Sequence, residues 1–116
     1  MPQQRDESFS RKHRLHKSSD FRRVFSKGKR ASSQSFVLYS LPNQLDFPRL
    51  GIQVKAKIGN AARRNYIKRI VREVFRKKKK EFRRSVDLIF IAEKQMAAKK
   101  YSEFKLEFES ALEKFL

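Results

Sequence analysis

The sequence contains no cysteine and no tryptophan, and it has only three glycines and three prolines in 116 residues. The absence of cysteine excludes disulfide bonds, thiolate zinc sites and a cysteine nucleophile. No apolar run approaches the roughly 20 residues that a membrane-spanning helix needs, and the first residues lack the apolar core of a signal peptide. We therefore expect a cytoplasmic protein without a membrane partner.

Acidic residues are also scarce, with 12 Asp or Glu against 30 Lys or Arg and a formal net charge of +18. Hydrophobic residues make up 39% of the chain and eleven of them are Phe, which predicts a folded protein. The length fits one domain with one modest core. Such an excess of positive charge predicts a polyanionic partner. Nucleic acid is the commonest polyanion, and an anionic membrane surface is the weaker alternative.

The positive charge is concentrated in two segments. Residues 55–84 hold fourteen Lys or Arg and two Glu, a net charge of +12, and residues 1–34 have a net charge of +7. Residues 35–54 are neutral, whereas residues 101–116 are slightly acidic. We therefore assign nucleic-acid binding to the two basic segments, and we predict that residues 1–15 form a flexible basic arm that orders on RNA.

Local patterns predict a single α+β domain in the order αβββαβα. A two-layer α/β sandwich is expected, with a small, mostly antiparallel sheet covered by helices on one face. Strands 35–41 and 49–55 are separated by a polar turn and are expected to form a hairpin. The other predicted elements are a short helix over 18–28, a long helix from 60 to about 84, a strand buried on both faces over 86–92 and an amphipathic C-terminal helix.

The long helix is expected to have an apolar stripe on one side and a cationic arc on the other. An alternative is a solvated surface helix whose charges serve solubility. A solubilising helix normally mixes charges of both signs, whereas this one carries only Glu73 and Glu81 among its cations, so a binding function is favoured. The arc contains Asn65, Lys68, Arg69, Arg72 and Arg76, with Arg64 at its boundary.

The same residues resemble the protein component of bacterial ribonuclease P. The resemblance rests on the stretch PRLGIQVKAKIGNAARRNYIKRIVREVFR, with its Gly-Asn-Ala turn, its Arg-Asn pair and its Ile-Lys-Arg triplet. The flanking segments RLHKSSDFRRVFSKGKR, FVLYSL and DLIFIA follow the order of the family, so the resemblance covers roughly residues 11–116. The family's Arg-Asn-Arg signature ends here in Tyr66. Either Arg63 replaces the missing cation, or Tyr66 stacks on a base.

The resemblance implies a subunit of a ribonucleoprotein that removes the 5′ leader of precursor tRNA. It implies that the catalytic RNA performs the hydrolysis with Mg²⁺ bound mainly by that RNA, so that the protein has no catalytic residues and no metal site. It also suggests an uncommon left-handed crossover in the sheet, although general topology favours a right-handed one. The implied RNA-binding residues are Arg63, Arg64, Asn65, Tyr66, Lys68, Arg69, Arg72 and Arg76.

A second surface implied by the resemblance is a cleft between the first helix and the sheet, which binds the single-stranded leader. The matching residues are Phe21, Arg22, Phe25, Phe36 and Tyr39. The alternative for the aromatic residues is ordinary core packing. Because side chains alternate along a strand, Phe36 and Tyr39 do not both face one cleft unless the strand is bulged or twisted, and Tyr39 is the preferred member.

Two other classes of protein are considered. A ribosomal-type RNA-binding protein without a role in cleavage shares the charge, the size and the α/β layers. A DNA-binding protein is disfavoured because no compact helix-turn-helix precedes the long helix. The two histidines, His13 and His16, lack a third ligand type nearby, and we expect them to be solvated or to face phosphates rather than to bind a metal.

Overall fold

A computed structural model of the protein describes residues 11–115 and confirms the order αβββαβα. The central helix ends earlier than predicted, because a 3-10 turn over Lys79–Glu81 brings Phe82 back against Phe75 at a ring distance of 6.4 Å. The elements are α1 (Ser18–Lys27), β1 (Lys29–Ser32), β2 (Phe36–Pro42), β3 (Arg49–Gln53), α2 (Ala61–Lys78), β4 (Val86–Ala92) and α3 (Tyr101–Glu113).

The four strands form one sheet in the order β1-β2-β4-β3. The sheet is mostly antiparallel as predicted, since only β3 and β4 run parallel. The predicted hairpin between β2 and β3 is wrong, because β4 lies between them and its Phe90 is the register partner of both Leu38 and Ile52. This position suits β4, which is apolar and buried on both faces. The left-handed sense of the β3-α2-β4 crossover stays a prediction.

Helices cover both faces of the sheet, so the prediction that they share one face is wrong for α1. Residues at alternate positions of β4 belong to different clusters: Leu88 and Phe90 pack with α2 and α3, whereas Ile89 packs with Leu15 and with Val24 of α1. The larger cluster is rich in aromatic rings, with centroid distances of 4.9 to 6.1 Å. The rings at these distances are those of Phe36, Phe90, Phe104 and Phe108, and Phe75 also belongs to the cluster.

The segment before α1 is part of the fold. The backbone N–H of Leu15 donates to the carbonyl of Leu50 in β3 at 2.9 Å, and the Leu15 side chain is buried. Residues 11–13 form a 3-10 turn. The prediction of a flexible arm is therefore wrong for residues 11–15, whereas residues 1–10 of that arm lie outside the described residues. No helix within 11–115 combines the length and the apolar character that crossing a membrane requires.

A buried carboxylate connects α1 and β3 to the centre of the sheet. Asp87 of β4 is fully buried and accepts hydrogen bonds from Arg49 at 2.7 and 2.8 Å, from Arg23 of α1 at 2.6 Å and from Asn43 at 2.9 Å. Burial alone raises the pKa of a carboxyl group, but the hydrogen bonds from Arg49, Asn43 and Arg23 outweigh it and lower the pKa of Asp87. Asp87 is therefore an anion at neutral pH.

We predict that Asp87→Asn destabilises the fold by about 2 kcal/mol at neutral pH. Removing one partner of a fully buried ion pair costs about 3–5 kcal/mol, and the partial exposure of Arg23 and Arg49 reduces that cost here. The pKa of Asp87 is lower in the folded state than in the unfolded state, so its ionised form stabilises the fold. This contribution to the free energy of unfolding is complete above the unfolded-state pKa of about 4, and it is lost as the pH falls through the folded-state pKa. Urea unfolding of the parent and of Asp87→Asn, from neutral pH to below the folded-state pKa of Asp87, measures the difference in the free energy of unfolding.

The matched control for this prediction is Asp46→Asn, because Asp46 is exposed in the β2–β3 loop. We expect this variant to unfold at the urea concentration of the parent protein. The two stability curves of the parent and Asp87→Asn should converge in acid. A difference that stays constant from neutral pH to below the folded pKa would contradict an ionised Asp87.

Candidate nucleic-acid interface

The start of α2 is fixed by two polar contacts that come from the sequence around Gly59. The Asn60 side chain caps the helix by accepting a hydrogen bond from the backbone N–H of Arg63 at 2.8 Å. The Arg64 guanidinium donates to the carbonyl of Gly59 at 2.6 Å. Arg64 therefore has a local structural contact as well as its positive charge. The predicted apolar stripe is buried as expected and consists of Ile67, Ile70, Val71, Val74 and Phe75.

All eight predicted RNA-binding residues lie on α2, and most of their side chains reach the surface. Arg76 is paired with Glu73 at 2.8 Å, which neutralises part of its charge. The other cations in the first two and a half turns of α2 behave differently. Within residues 11–115, they form no ion pair and no hydrogen bond to a carboxylate. These unpaired cations are Arg63, Arg64, Lys68 and Arg69. The helix therefore presents concentrated positive charge in a form suited to phosphates.

Tyr66, which replaces an arginine of the family signature, lies between two guanidinium groups. Arg63 and Arg69 each approach its ring with the guanidinium carbon 5.5 Å from the ring centroid. Cation–π contacts of this kind hold the two side chains near the ring. The ring is half-buried and packs against the edge of the larger hydrophobic cluster. Both explanations given for the substitution are compatible with this arrangement.

A cationic depression joins α2 to the segment before α1. It has a volume of about 150 Å³ and is lined by Arg14 and His16 on one side and by Lys68 and Arg72 on the other. Burial, followed by repulsion from Arg14, lowers the pKa of Arg72. Sequence reasoning placed Arg14 in a flexible arm and missed this contact. The signal was the alternation of Arg14, Leu15 and His16, which is typical of an extended segment with one side buried.

Phe21, Phe25 and Tyr39 meet between α1 and the sheet, where the aromatic cleft is predicted. The name aromatic cleft is kept for these residues and Arg22, and their binding of the leader stays a prediction. Phe25 is 37% exposed and its ring meets that of Tyr39 edge to face at a centroid distance of 5.0 Å. Phe21 lies 6.3 Å from Phe25, and Arg22 is exposed beside them. The backbone of Gly51 makes room for Phe21, since a Cβ atom at that position would lie 2.5 Å from the ring. The sheet therefore supports the row of rings directly.

Phe36 is not part of this cleft, and its assignment to leader binding is wrong. Its side chain is fully buried on the opposite face of the sheet, with its ring centroid 4.9 Å from that of Phe90 and 5.6 Å from that of Phe108. Strand alternation is the reason, because Phe36 and Tyr39 are three positions apart in a regular strand. Tyr39, the preferred residue, faces α1.

The two histidines lie in different environments. His13 is buried, and burial, together with the charges of Lys79 and Lys12, lowers its pKa to about 4. It is therefore neutral at physiological pH. The burial of His13 contradicts the expectation that it is solvated or faces a phosphate, whereas His16 is exposed. In the part of the chain that the structure describes, no group of three or more His, Cys, Asp or Glu residues is placed to hold a metal ion.

A cationic helix beside a supported row of aromatic rings is the arrangement of an RNA-binding protein that contacts phosphates and unpaired bases. A protein-family model described as Ribonuclease P matches residues 9–116. The chain is 43% identical over 91 residues to the ribonuclease P protein component of Thermotoga maritima, with 78% of each chain covered. It is 41% identical over 90 residues to that of Syntrophus aciditrophicus, with 78% of this chain and 76% of the relative covered.

Solved structures agree with these matches. A Staphylococcus aureus RNase P protein mutant with defective mRNA degradation activity superposes with a TM-score of 0.82 at 35% identity, covering 88% of this chain and 86% of that one. The RNase P protein of Thermotoga maritima gives a TM-score of 0.81 at 33% identity, covering 89% and 97%. The chain belongs to the ribonuclease P protein family.

Proposed function

We propose that this chain is the protein subunit of ribonuclease P, in which it binds the catalytic RNA through α2 and the 5′ leader of precursor tRNA through the aromatic cleft. The observation that carries the proposal is the cationic face of α2, where Arg63, Arg64, Lys68 and Arg69 form no ion pair within residues 11–115, in a chain that belongs to the family. Family membership also disfavours a ribosomal-type protein without a role in cleavage. The reaction is the endonucleolytic 5′ maturation of tRNA, which we place in the cytoplasm.

Hydrolysis in this proposal is performed by the RNA subunit with Mg²⁺ held mainly by that RNA. The carboxylates of the described residues do not suit a protein-held metal centre, since the buried Asp87 is saturated by Arg23, Arg49 and Asn43. Glu107 is likewise engaged by the side chains of Ser33 and Ser35. The residues of this chain therefore bind and orient RNA, and no step of the hydrolysis is assigned to them.

Leader recognition in this proposal depends on stacking rather than on sequence-specific hydrogen bonds. Phe21, Phe25 and Tyr39 offer ring surfaces that any base can contact, and Arg22 supplies a cation for the adjacent phosphate. Such a cleft accepts leaders of many sequences, as an enzyme that processes many precursor tRNAs requires. The depression at Arg14 and Lys68 continues the positive charge from the cleft side to α2.

The proposed function is tested by reconstitution with ribonuclease P RNA at low magnesium. We expect the purified protein to stimulate 5′ cleavage of a precursor tRNA, because its cations offset the repulsion between two polyanions that Mg²⁺ otherwise screens. Polylysine of matched charge serves as the control for unspecific screening, and the protein without RNA should cleave nothing. Stimulation no greater than that of polylysine would refute the subunit function, and Mg²⁺-dependent cleavage by the protein alone would refute RNA-based catalysis.

We predict that Lys68→Ala weakens binding to ribonuclease P RNA and lowers the slope of log K against log salt concentration by about one. Lys68 lines the cationic depression and has no acidic partner within residues 11–115, so its loss removes one phosphate contact. The matched control is Lys105→Ala, which removes a cation of α3 that is paired with Glu109 at 3.5 Å. Filter binding over a salt series measures both slopes. Equal slopes for Lys68→Ala and the parent would remove Lys68 from the interface.

We predict that Tyr39→Leu weakens binding of precursor tRNA by the reconstituted holoenzyme by about tenfold and leaves mature tRNA unaffected. Loss of one stacked base costs about 1–3 kcal/mol, and leucine keeps the apolar packing of Tyr39 against the cluster formed with Leu15, Val24 and Ile89. The control is Leu106→Ala, because Leu106 is 71% exposed on α3. An equal loss for precursor and mature tRNA would assign Tyr39 to packing instead.

A further inference from the structure

An open groove lies between the first two turns of α2 and the start of α3. It has a volume of about 680 Å³, within the range of about 300–1,000 Å³ that is typical of small-molecule sites. Its walls include Tyr66 from α2 and Tyr101 from α3, together with the cations Arg63 and Lys100. The groove shares Arg63 and Tyr66 with the predicted RNA-binding residues of α2, but Lys100 and Tyr101 belong to neither surface described above, so the groove extends that surface toward α3.

The two tyrosines have the exposure that a stacking site requires. Both are half-buried and pack against the edge of the larger hydrophobic cluster, which fixes the rings while leaving part of each accessible. Two guanidinium groups, of Arg63 and Arg69, lie 5.5 Å from the centre of the Tyr66 ring. A planar base that enters the groove therefore meets either a ring or a guanidinium plane, and both stack on bases.

The charge of the groove favours a phosphate. The lining, all of which lies within the described residues, contains no carboxylate. Lys99 is neutralised by Glu107 at 3.5 Å, but Arg63 and Lys100 have no ion pair within residues 11–115. The Glu103 carboxylate accepts a hydrogen bond from the backbone N–H of Lys100 at 3.2 Å, so it is occupied at the start of α3. Two cations that form no ion pair within residues 11–115 thus flank two accessible rings.

We propose that this groove binds one unpaired nucleotide of the RNA that contacts α2, with its base against Tyr66 and Tyr101 and its phosphate near Arg63 and Lys100. The inference rests on the proposed function, because that RNA is the catalytic RNA. An unpaired nucleotide is the occupant, since a base inside a duplex does not offer its face to a protein ring. Tyr66 thereby replaces the cation of the family signature with an uncharged ring that can stack on a base.

The first experiment uses the absence of tryptophan from the chain. Tyr101→Trp introduces a single indole at the groove, and addition of ribonuclease P RNA should quench its fluorescence through stacking. The matched reporter is Leu106→Trp, five residues further along α3 at a position that is 71% exposed, and it should be quenched far less. Equal quenching of both reporters would overturn the proposal. A response of Tyr101→Trp to polyglutamate as large as its response to RNA would also overturn it, in favour of an acidic peptide.

The second experiment separates stacking from charge neutralisation and from packing. Tyr66→Leu should weaken binding of ribonuclease P RNA by about tenfold, the loss expected for one stacked base, without changing the salt slope, because no charge is removed. Tyr66→Phe keeps the ring and should bind like the parent. Parent-like binding by Tyr66→Leu, or equal losses in both variants, would overturn the proposal. If these variants bind normally while the parent still stimulates cleavage at low magnesium, only the groove is misassigned; absence of that stimulation would instead refute the subunit function.

Discussion

The arrangement of α1 and β3 around the central strand depends on the buried carboxylate of Asp87. The cluster beneath α1 is small, with Leu15, Val24 and Ile89 as its fully buried members, so apolar packing alone restrains the direction of α1 weakly. The hydrogen bond from Arg23 of α1 to Asp87 fixes the orientation of α1 on the sheet. The same carboxylate binds Arg49 of β3, the strand that leads into α2. Asp87 of β4 thus connects α1, which carries part of the aromatic cleft, to β3, the strand that precedes α2.

The concentration of cations on α2 lowers the stability of the helix, and the packing of its buried apolar stripe offsets this loss. Like charges in neighbouring turns repel each other, and two acidic residues, Glu73 and Glu81, supply local pairs for Arg76, Lys77 and Lys78. The apolar stripe against the sheet and α3 holds the helix in place despite that repulsion. A polyanion bound to this face would remove the repulsion, so its binding and the folding stability would be thermodynamically linked. In the proposed function, RNA is that polyanion.

Local sequence patterns predicted the elements well, but not how they meet. The helical periodicity of α2 and the continuous apolar run of β4 were sufficient to predict these two elements, because each pattern lies within one segment of the chain. The predicted β2–β3 hairpin was wrong because the pairing of β3 with β4 rather than β2 is a long-range choice. Placement of Phe36 failed for a related reason: its side of the strand becomes core only through contact with Phe104 and Phe108 of a distant helix. The groove at Tyr66 and Tyr101 likewise joins residues whose proximity no local pattern indicates.

In the proposed function, the cationic depression is one place where the protein can reduce the repulsion between the catalytic RNA and its precursor tRNA. Arg14 and His16 approach α2 from the segment that leads into α1, and Lys68 and Arg72 approach from the opposite side. The segment that leads into α1 and the helix α2 therefore share one cationic depression. Bringing a precursor tRNA to a catalytic RNA requires two polyanions to come close, and exposed cations between them lower that electrostatic cost without any chemical step on the protein. In such an arrangement the aromatic residues add what charge alone does not provide, a preference for unpaired nucleotides over the far more abundant helical phosphates.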